Sequence, residues 1–517
     1  MREKRVPKPG KGTIKPKDVA VEFSNFGPVV SGEIALRPLT ILIGPNNCGK
    51  SYTAMLMKAV LSQTTGAPPI DRLDIRRMGH PFRFSPFFRP SITATGSLAR
   101  SNMYIDFIKK VQNLEVGDCC DVPKTLVKDL GRLILREVFE GHFKDEVVRI
   151  FGAKMTELQR INGEALELKI RIGSTDVTLK PEGKGLKIIT FPKLDHRLRI
   201  RVDVLKRPEG YNIEVEDDTI TIVLSKDLSG GGGESSHFSR LLMPRVIELV
   251  MKSLLLSSGY TDCYYLPAAR SGMMQAHKVV SAAIMKTAGL GGIDEIRIPQ
   301  LSGIVVDFLT QLNNLDPDRG PLYRIASSFE KEVLGGQVKF RTVDDYISKI
   351  EYHLGKSHMP LHRTSSTVSE LAPLFLFLKH EVSRRSLLII EEPEAHLHPA
   401  NQEIMARLIV RLVRNGVHVM ITTHSDLLLR RISDFILLSE AEDQQRSRLS
   451  EYDEDDFLNK DEVSVSAFEY VDDASAYRIK PVKIHAESGI SQEEFMRIHR
   501  LLYSKRLRIE RELGIIQ

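Results

Sequence analysis

Gly44-Pro45-Asn46-Asn47-Cys48-Gly49-Lys50-Ser51 is the stretch on which the fold turns. It fits the pattern G-x-x-x-x-G-K-[ST]. Before it stands Leu39-Thr40-Ile41-Leu42-Ile43, a short apolar run bounded by Pro38, which reads as a buried strand. After it comes a helix-compatible stretch over 52–61. Strand, glycine-rich loop and helix, in that order, make a phosphate cradle. The glycines let backbone N–H groups curl around an anion, and the helix N-terminus adds a favourable dipole. In that role Gly44, Asn46, Asn47, Cys48, Gly49, Lys50, Ser51 and Tyr52 line a nucleotide. Lys50 reaches the β- and γ-phosphates, and the Ser51 hydroxyl ligates magnesium.

A second stretch needs a cation. Ser386-Leu387-Leu388-Ile389-Ile390-Glu391-Glu392-Pro393 is an apolar strand ending in two acids. Two carboxylates at the end of a buried strand are costly unless positive charge sits there, and a magnesium–nucleotide complex supplies it. Glu391 is then a metal ligand, acting through water, and Glu392 takes the proton of the attacking water. The alternative is that both acids open the next helix, where negative charge suits the dipole.

Further along, 417–422 is another apolar strand, ending Thr422-Thr423-His424-Ser425. One helix-length segment, 401–414, separates it from the acidic strand, as a βαβ unit requires. Upstream, Ser365-Ser366-Thr367-Val368-Ser369-Glu370 leads into a helix over 371–382. Hydroxyls and free N–H groups at a helix start bind anions; an ordinary N-cap is the alternative. Tyr264-Tyr265-Leu266-Pro267-Ala268-Ala269-Arg270 reads as a strand leaving an arginine, placed either to sense phosphate or metal or to form a structural ion pair.

Glu391-Glu392-Pro393-Glu394-Ala395-His396-Leu397-His398-Pro399 resembles the Walker B and D-loop stretch of ABC ATPases, in the form found in RecF-like, OLD-like and related stand-alone ATPases of the SMC/RecF class. The resemblance implies an α/β fold: a P-loop NTPase head of ABC type, with an antiparallel β-subdomain and a compact helical insertion. It implies ATP hydrolysis with ATP and Mg2+, catalysed through Lys50, Glu392 and His424. His424 takes the place of the switch histidine at the γ-phosphate. The segment 365–370 takes the place of the signature motif, with Ser366 and Ser369 as phosphate-binding hydroxyls; Thr367 and Val368 stand at its two usual glycine positions. Phe23-Ser24-Asn25-Phe26-Gly27 resembles the segment that opens SMC/RecF heads, which places Asn25 and Phe26 near the base. Arg270 falls at the Q-loop strand, with Gln275 as a candidate glutamine. His396 and His398 also have the spacing of metal ligands, with no third ligand beside them. His398 stands where many transporters have Asp. Heads of this class join as homodimers through bound ATP, in DNA repair or antiviral defence, often with a separate nuclease or toxin; DNA is then a partner.

Composition sets outer bounds. The 517 residues are 42% hydrophobic and 27% charged, with a net charge of +6 that permits a nucleic-acid partner without arguing for one. Four cysteines make no disulfide framework, so a reducing, cytoplasmic setting is expected. No apolar leader opens the chain, and no apolar run approaches the roughly 20 residues of a membrane span.

The expected organisation is a basic disordered tail (1–18), the first part of the head (19–63), a mostly helical insertion (64–160), an antiparallel β-subdomain (161–228), a linker, helix and Q-loop-like strand (229–270), a helical lid (271–360), the second part of the head (361–440) and a C-terminal cap (441–517). A basic, aromatic patch at 76–89 reads either as aromatic core beside a charged surface or as a surface that stacks on bases. The acidic run Glu451, Asp453, Glu454, Asp455 and Asp456 reads as a solvated loop. Two rival functions remain at this point. One is an ATP-gated scaffold with little turnover, controlling a partner nuclease or toxin. The other is a nuclease of OLD type using Asp453 and Asp455.

Overall fold

The computed structural model describes residues 18–62, 102–161, 163–173, 175–183, 185–191, 197–203, 211–216, 219–225, 260–275, 301–343, 346–441, 445, 448–449, 451–485, 487–491 and 493–513. The basic tail, the aromatic patch at 76–89 and the glycine run at 230–233 lie outside them. The chain opens with strands β1 (Val19–Phe26), β2 (Val29–Ala35) and β3 (Leu39–Ile43) and helix α1 (Lys50–Ser62). There follow α2 (Asn102–Gln112), β4 (Cys119–Asp121), α3 (Lys124–Leu135), a π-helical stretch Arg136–Phe143 and α4 (Lys144–Phe151). Next come β5 (Glu167–Ile172), β6 (Thr175–Glu182), β7 (Gly185–Thr190), β8 (Arg197–Asp203), β9 (Tyr211–Glu216) and β10 (Thr219–Ser225). Then β11 (Cys263–Leu266), α5 (Gly303–Asn313), α6 (Tyr323–Leu334), β12 (Gln337–Val343), β13 (Tyr346–Leu354), β14 (Ser357–Pro360), α7 (Ser366–His380), β15 (Leu387–Glu391), α8 (Pro399–Arg414), β16 (His418–Thr423) and α9 (Asp426–Glu440). The last elements are β17 (Val463–Val471), β18 (Ala476–Pro481), β19 (Ile484–His485), β20 (Gly489–Ile490) and α10 (Glu493–Glu512).

These elements form two compact units, one of Met1–Ala35 with Met55–Cys263 and one of Leu36–Ala54 with Tyr264–Gln517. In the first, β2, β1, β5, β6 and β7 pair in that order, and all four pairings are antiparallel. β5 shows why: Leu168, Ile170 and Ile172 are buried while Lys169 and Arg171 face outward, the period of two that a one-sided sheet needs. The outer face carries charge pairs such as Lys169–Glu22 at 3.6 Å and Arg171–Glu33 at 3.5 Å. A second sheet, in the order β4, β8, β10, β9, departs from the all-antiparallel expectation for 161–228. β10 pairs with β9 in antiparallel register and, on its other edge, with β8 in parallel register.

The second unit is built on parallel strands. β15, β16, β3 and β17 run side by side in that order, with β11 beside β15 and β18 antiparallel to β17. β3 and β15 are buried at every residue, as is β16, which suits strands covered on both faces. α7 is buried on all sides from Val368 to Lys379, with Ser369, Glu370 and Lys379 paired inside, and forms the middle of the core with α5, α6, α8 and α9.

Three expectations change here. The segment 441–517 is more than a cap: β17 lies parallel to the loop strand, Val463 facing Leu39 and Ala467 facing Ile43. The lid over 271–360 is helical only in part. Val338 is buried and Lys339 exposed, a strand alternation, and β12, β13 and β14 form an antiparallel sheet. The acidic run is not simply solvated. Asp456 is buried between Arg407 Nε (2.9 Å) and Arg411 Nε (2.7 Å), and Asp453 and Asp455 also pair with Arg411. That clasp on α8 occupies the carboxylates on which the nuclease reading rested.

His418, at the head of β16, is buried, and burial with help from Arg385 lowers its pKa from 6.5 to about 4. The folded chain therefore holds this ring neutral while an unfolded chain protonates it. Its contribution to stability is complete above pH 6.5 and is lost as pH falls towards 4. Urea unfolding across that window should show the loss, with a flatter slope in His418→Phe; equal slopes in the two proteins would reject this role.

Candidate nucleotide site

The site lies in the second unit, at the ends of β3, β15 and β16. Gly44 follows β3 with φ +152°, and a Cβ there would come within 2.8 Å of the Phe468 Cβ on β17, so glycine alone fits the first turn of the loop. Asn47 adopts a left-handed φ of 61° and Gly49 one of 105°, which bends the loop around its centre. Asn46, Asn47, Ser51 and Tyr52 are exposed and Cys48 is buried. Lys50 Nζ turns back into the loop, donating to the Gly44 carbonyl (2.9 Å) and the Pro45 carbonyl (2.7 Å) and lying 3.7 Å from Cys48 Sγ. Burial lowers the Lys50 pKa; Cys48, then Glu392 and Glu394, oppose it. Burial raises the Cys48 thiol against the pull of Lys50.

The acidic pair divides its work. Glu391 is 5% exposed and is held by the Tyr265 hydroxyl (2.5 Å) and the Ala268 N–H (3.0 Å). Glu392 is more open and sits at a left-handed φ of 45°, its N–H donated to the Thr422 carbonyl at 2.9 Å. Its Oε1 lies 3.6 Å from His424 Nε2. The His424 pKa is lowered, first by burial and next by Lys50, so near neutral pH the ring is uncharged. Lys50, Glu392, Glu394 and His424 thus share one electrostatic neighbourhood.

Two residues that the sequence reading did not single out are structural partners of this centre. Glu394 Oε1 accepts from the Thr423 hydroxyl (2.6 Å) and from the His424 N–H (2.8 Å), which fixes the histidine's main chain. Glu370 is fully buried and receives the N–H groups of Arg270 (3.3 Å) and Ser271 (2.8 Å). The signal was present in both cases, an acid within a motif, but spacing alone does not tell a capping acid from a bridging one.

Other assignments shift. Arg270 is 1% exposed and pairs with Glu370 at 2.9 Å, so of its two readings the ion pair is the one the structure supports. Ser365 caps α7, accepting from the Val368 N–H. Ser366 is exposed in the first turn, whereas Ser369 is 1% exposed and its hydroxyl is engaged by the Leu361 carbonyl and Thr364. Ser369 therefore faces the interior and not an anion. Phe26, in the first unit, is buried against Phe23 and Phe151, and Asn25 holds a left-handed φ of 53° while its carbonyl accepts from Arg160. The ring of Phe26 serves that unit's core. Gln275 is exposed. His398 Nδ1 accepts from the Ala400 N–H and caps α8. No group of three or more metal-ligating side chains occurs among the described residues.

A glycine-rich loop between β3 and α1, beside the acidic end of β15 on a parallel sheet, is the arrangement of a P-loop nucleotide-binding fold. Residues 290–429 match the family model described as an AAA ATPase domain. Among solved structures the chain is similar to an SMC head bound to the C-terminal winged-helix domain of ScpA, with 11% identity, a TM-score of 0.33, and 93% of this chain and 100% of that one covered. It is similar to the SMC head domain from Thermotoga maritima, at 11% identity and a TM-score of 0.33, covering 90% of this chain and 100% of that one. A Pyrococcus furiosus Smc head with an extended coiled coil, bound to the C-terminal domain of ScpA, gives 10% identity and a TM-score of 0.32, covering 95% and 100%. Among curated proteins nothing matches the chain.

The donor set suits a magnesium–nucleotide complex. Ser51 is exposed at the helix start, Lys50 is aimed into the loop, and Glu394 Oε2 is buried with no hydrogen-bond partner among the described residues. Ser51 and Glu391 are the residues that would hold the metal.

Proposed function

We propose that the chain binds and hydrolyses ATP at this site and that bound ATP joins two copies head to head. The supporting observation is that one lysine, one open glutamate and one neutral histidine share a neighbourhood at the ends of parallel strands that begin far apart in sequence. Lys50 and the loop N–H groups bind the phosphates, with Asn46, Asn47 and Tyr52 exposed beside them. Glu392 takes the proton of the attacking water, and His424, kept neutral, contacts the γ-phosphate. Mg2+ would supply charge neutralisation of the phosphates when bound. The exposed first turn of α7, with Ser366, offers N–H groups to the γ-phosphate of the second copy.

The process served is DNA-linked, in repair or antiviral defence in the cytoplasm, with a separate nuclease or toxin as partner. The resemblance of the 391–399 segment supports this reading, and the net charge of +6 permits it. The scaffold alternative keeps the same site but little turnover.

The test is ATP turnover and light scattering, with and without duplex DNA, for the wild type and Lys50→Ala. Wild type should hydrolyse ATP and pass from monomer to dimer with ATP. The variant should bind ATP about 10- to 100-fold more weakly, the loss expected for charge-assisted hydrogen bonds. A wild-type chain that takes up no nucleotide rejects the proposal; one that binds and dimerises without turnover leaves the scaffold.

A further inference from the structure

Arg270 is a large buried cation that the ATP chemistry above does not use. Each of its five N–H donors has an acceptor. Nε donates to the Glu370 carbonyl (3.2 Å), and Nη1 to the carbonyls of Pro267 (3.0 Å) and Glu391 (2.7 Å). Nη2 donates to the Glu392 carbonyl (3.3 Å) and pairs with Glu370 Oε1 (2.9 Å). An ion pair this deep is no strong reason for stability by itself, since apolar side chains of similar volume fill such a space as well or better. The geometry around Glu392 gives it another use.

Glu392 is held in a left-handed conformation, which costs on the order of 1–3 kcal/mol for a non-glycine residue and persists only where neighbours fix it. Neighbours fix it from both sides. Thr422 takes the Glu392 N–H, through its carbonyl at 2.9 Å and its hydroxyl at 3.3 Å. Arg270 takes the Glu392 carbonyl. The same guanidinium is tied to Glu370, in the second turn of α7. A parallel tie runs from Thr367 Oγ1, in the first turn, to the carbonyl of His396 at 2.9 Å, another left-handed residue. The start of α7 is thus joined to both the proton acceptor and the segment that follows it.

We propose that Arg270 is a positioning residue: its planar fork holds the backbone of Glu392 in the conformation that presents the carboxylate to water, and Glu370 links that position to the start of α7. The inference rests on the ATPase reading above. Its consequence is that an anion drawing on the first turn of α7 is felt at Glu392 through a single guanidinium.

The experiment compares wild type, Arg270→Lys and the double variant Arg270→Met/Glu370→Leu in kcat, KM for ATP and thermal midpoint. Lysine keeps the charge and the pair with Glu370 but has no planar fork to reach two successive carbonyls. Its kcat should fall about 10- to 100-fold, the scale of a misplaced reacting group, with KM within about threefold. The double variant removes both charges together, so no lone charge is buried, but the carbonyls of Pro267, Glu370, Glu391 and Glu392 lose their donor; its midpoint should fall by a few degrees, with turnover still low well below that midpoint. Three results overturn the inference while leaving the ATPase reading intact: Arg270→Lys turning over at the wild-type rate, a loss confined to KM, or a double variant that regains turnover. A wild-type chain without turnover is a different result, and it removes the ATPase reading and the inference with it.

Discussion

Glu392→Gln should slow ATP turnover by about 10²- to 10⁴-fold, the range that a positioned general base contributes. Glutamine keeps the size of the side chain and its ability to accept a hydrogen bond from water, but it does not take up the proton. The contacts that bind phosphate, from Lys50 and the loop N–H groups, are made by other residues, so ATP affinity should change little. The main chain at 392 is held by Thr422 and Arg270 whatever its side chain, so the fold should survive. Under the proposed joining of two copies by ATP, with hydrolysis releasing them, dimers of the variant should accumulate. Single-turnover hydrolysis, equilibrium ATP binding and light scattering report the three quantities separately. Turnover within threefold of wild type would remove Glu392 from the chemistry.

Lys379→Met should destabilise the second unit by about 3–5 kcal/mol, the cost of leaving one partner of a buried ion pair alone. Lys379 Nζ makes three bonds, to Glu330 Oε1 (2.9 Å), Glu330 Oε2 (3.1 Å) and the Val338 carbonyl (2.6 Å), and both side chains are almost wholly buried. Glu330 Oε1 also receives the Val338 N–H at 2.8 Å. Burial raises the Glu330 pKa, and Lys379 is the chief influence against that rise. Removing the lysine therefore leaves a carboxylate that must either stay charged without a cation or take up a proton. The pair fastens α6 and β12 to α7, so its loss should appear as a lower unfolding free energy in urea, with Lys379→Met/Glu330→Leu recovering only part of it because the Val338 N–H and carbonyl lose their partners. A single variant as stable as wild type would show that water or a local shift compensates.

The head of this fold was legible because its strands are short, apolar on both faces and punctuated by glycine, proline or acid. Leu39–Ile43 and Leu387–Glu391 carry that signature in full. β17 does not: Ser464 and Ser466 interrupt its apolar residues, and an acidic run precedes it, so the segment reads as a C-terminal cap. β12 and β13 fall in the stretch whose composition reads as a helical lid. Within the site, residue type and order singled out the loop, the acidic pair and the histidine, and the parallel strands bring them to one end of the sheet. The roles of Arg270, Glu370 and Ser369 did not, because a charged or hydroxyl side chain beside a motif has the same letter whether it faces a ligand or the core. Only burial separates the two.

The pairing of β17 with β3 bears on how the molecule is made. A ribosome produces the glycine-rich loop early, yet the strand that flanks it, and the Phe468 side chain that backs Gly44, appear only after the acidic and histidine strands have been synthesised. A nascent chain therefore waits with an incomplete cradle, and closing so distant a contact is slow compared with local helix formation. Chaperone dependence and sensitivity to premature termination should concentrate on this late step.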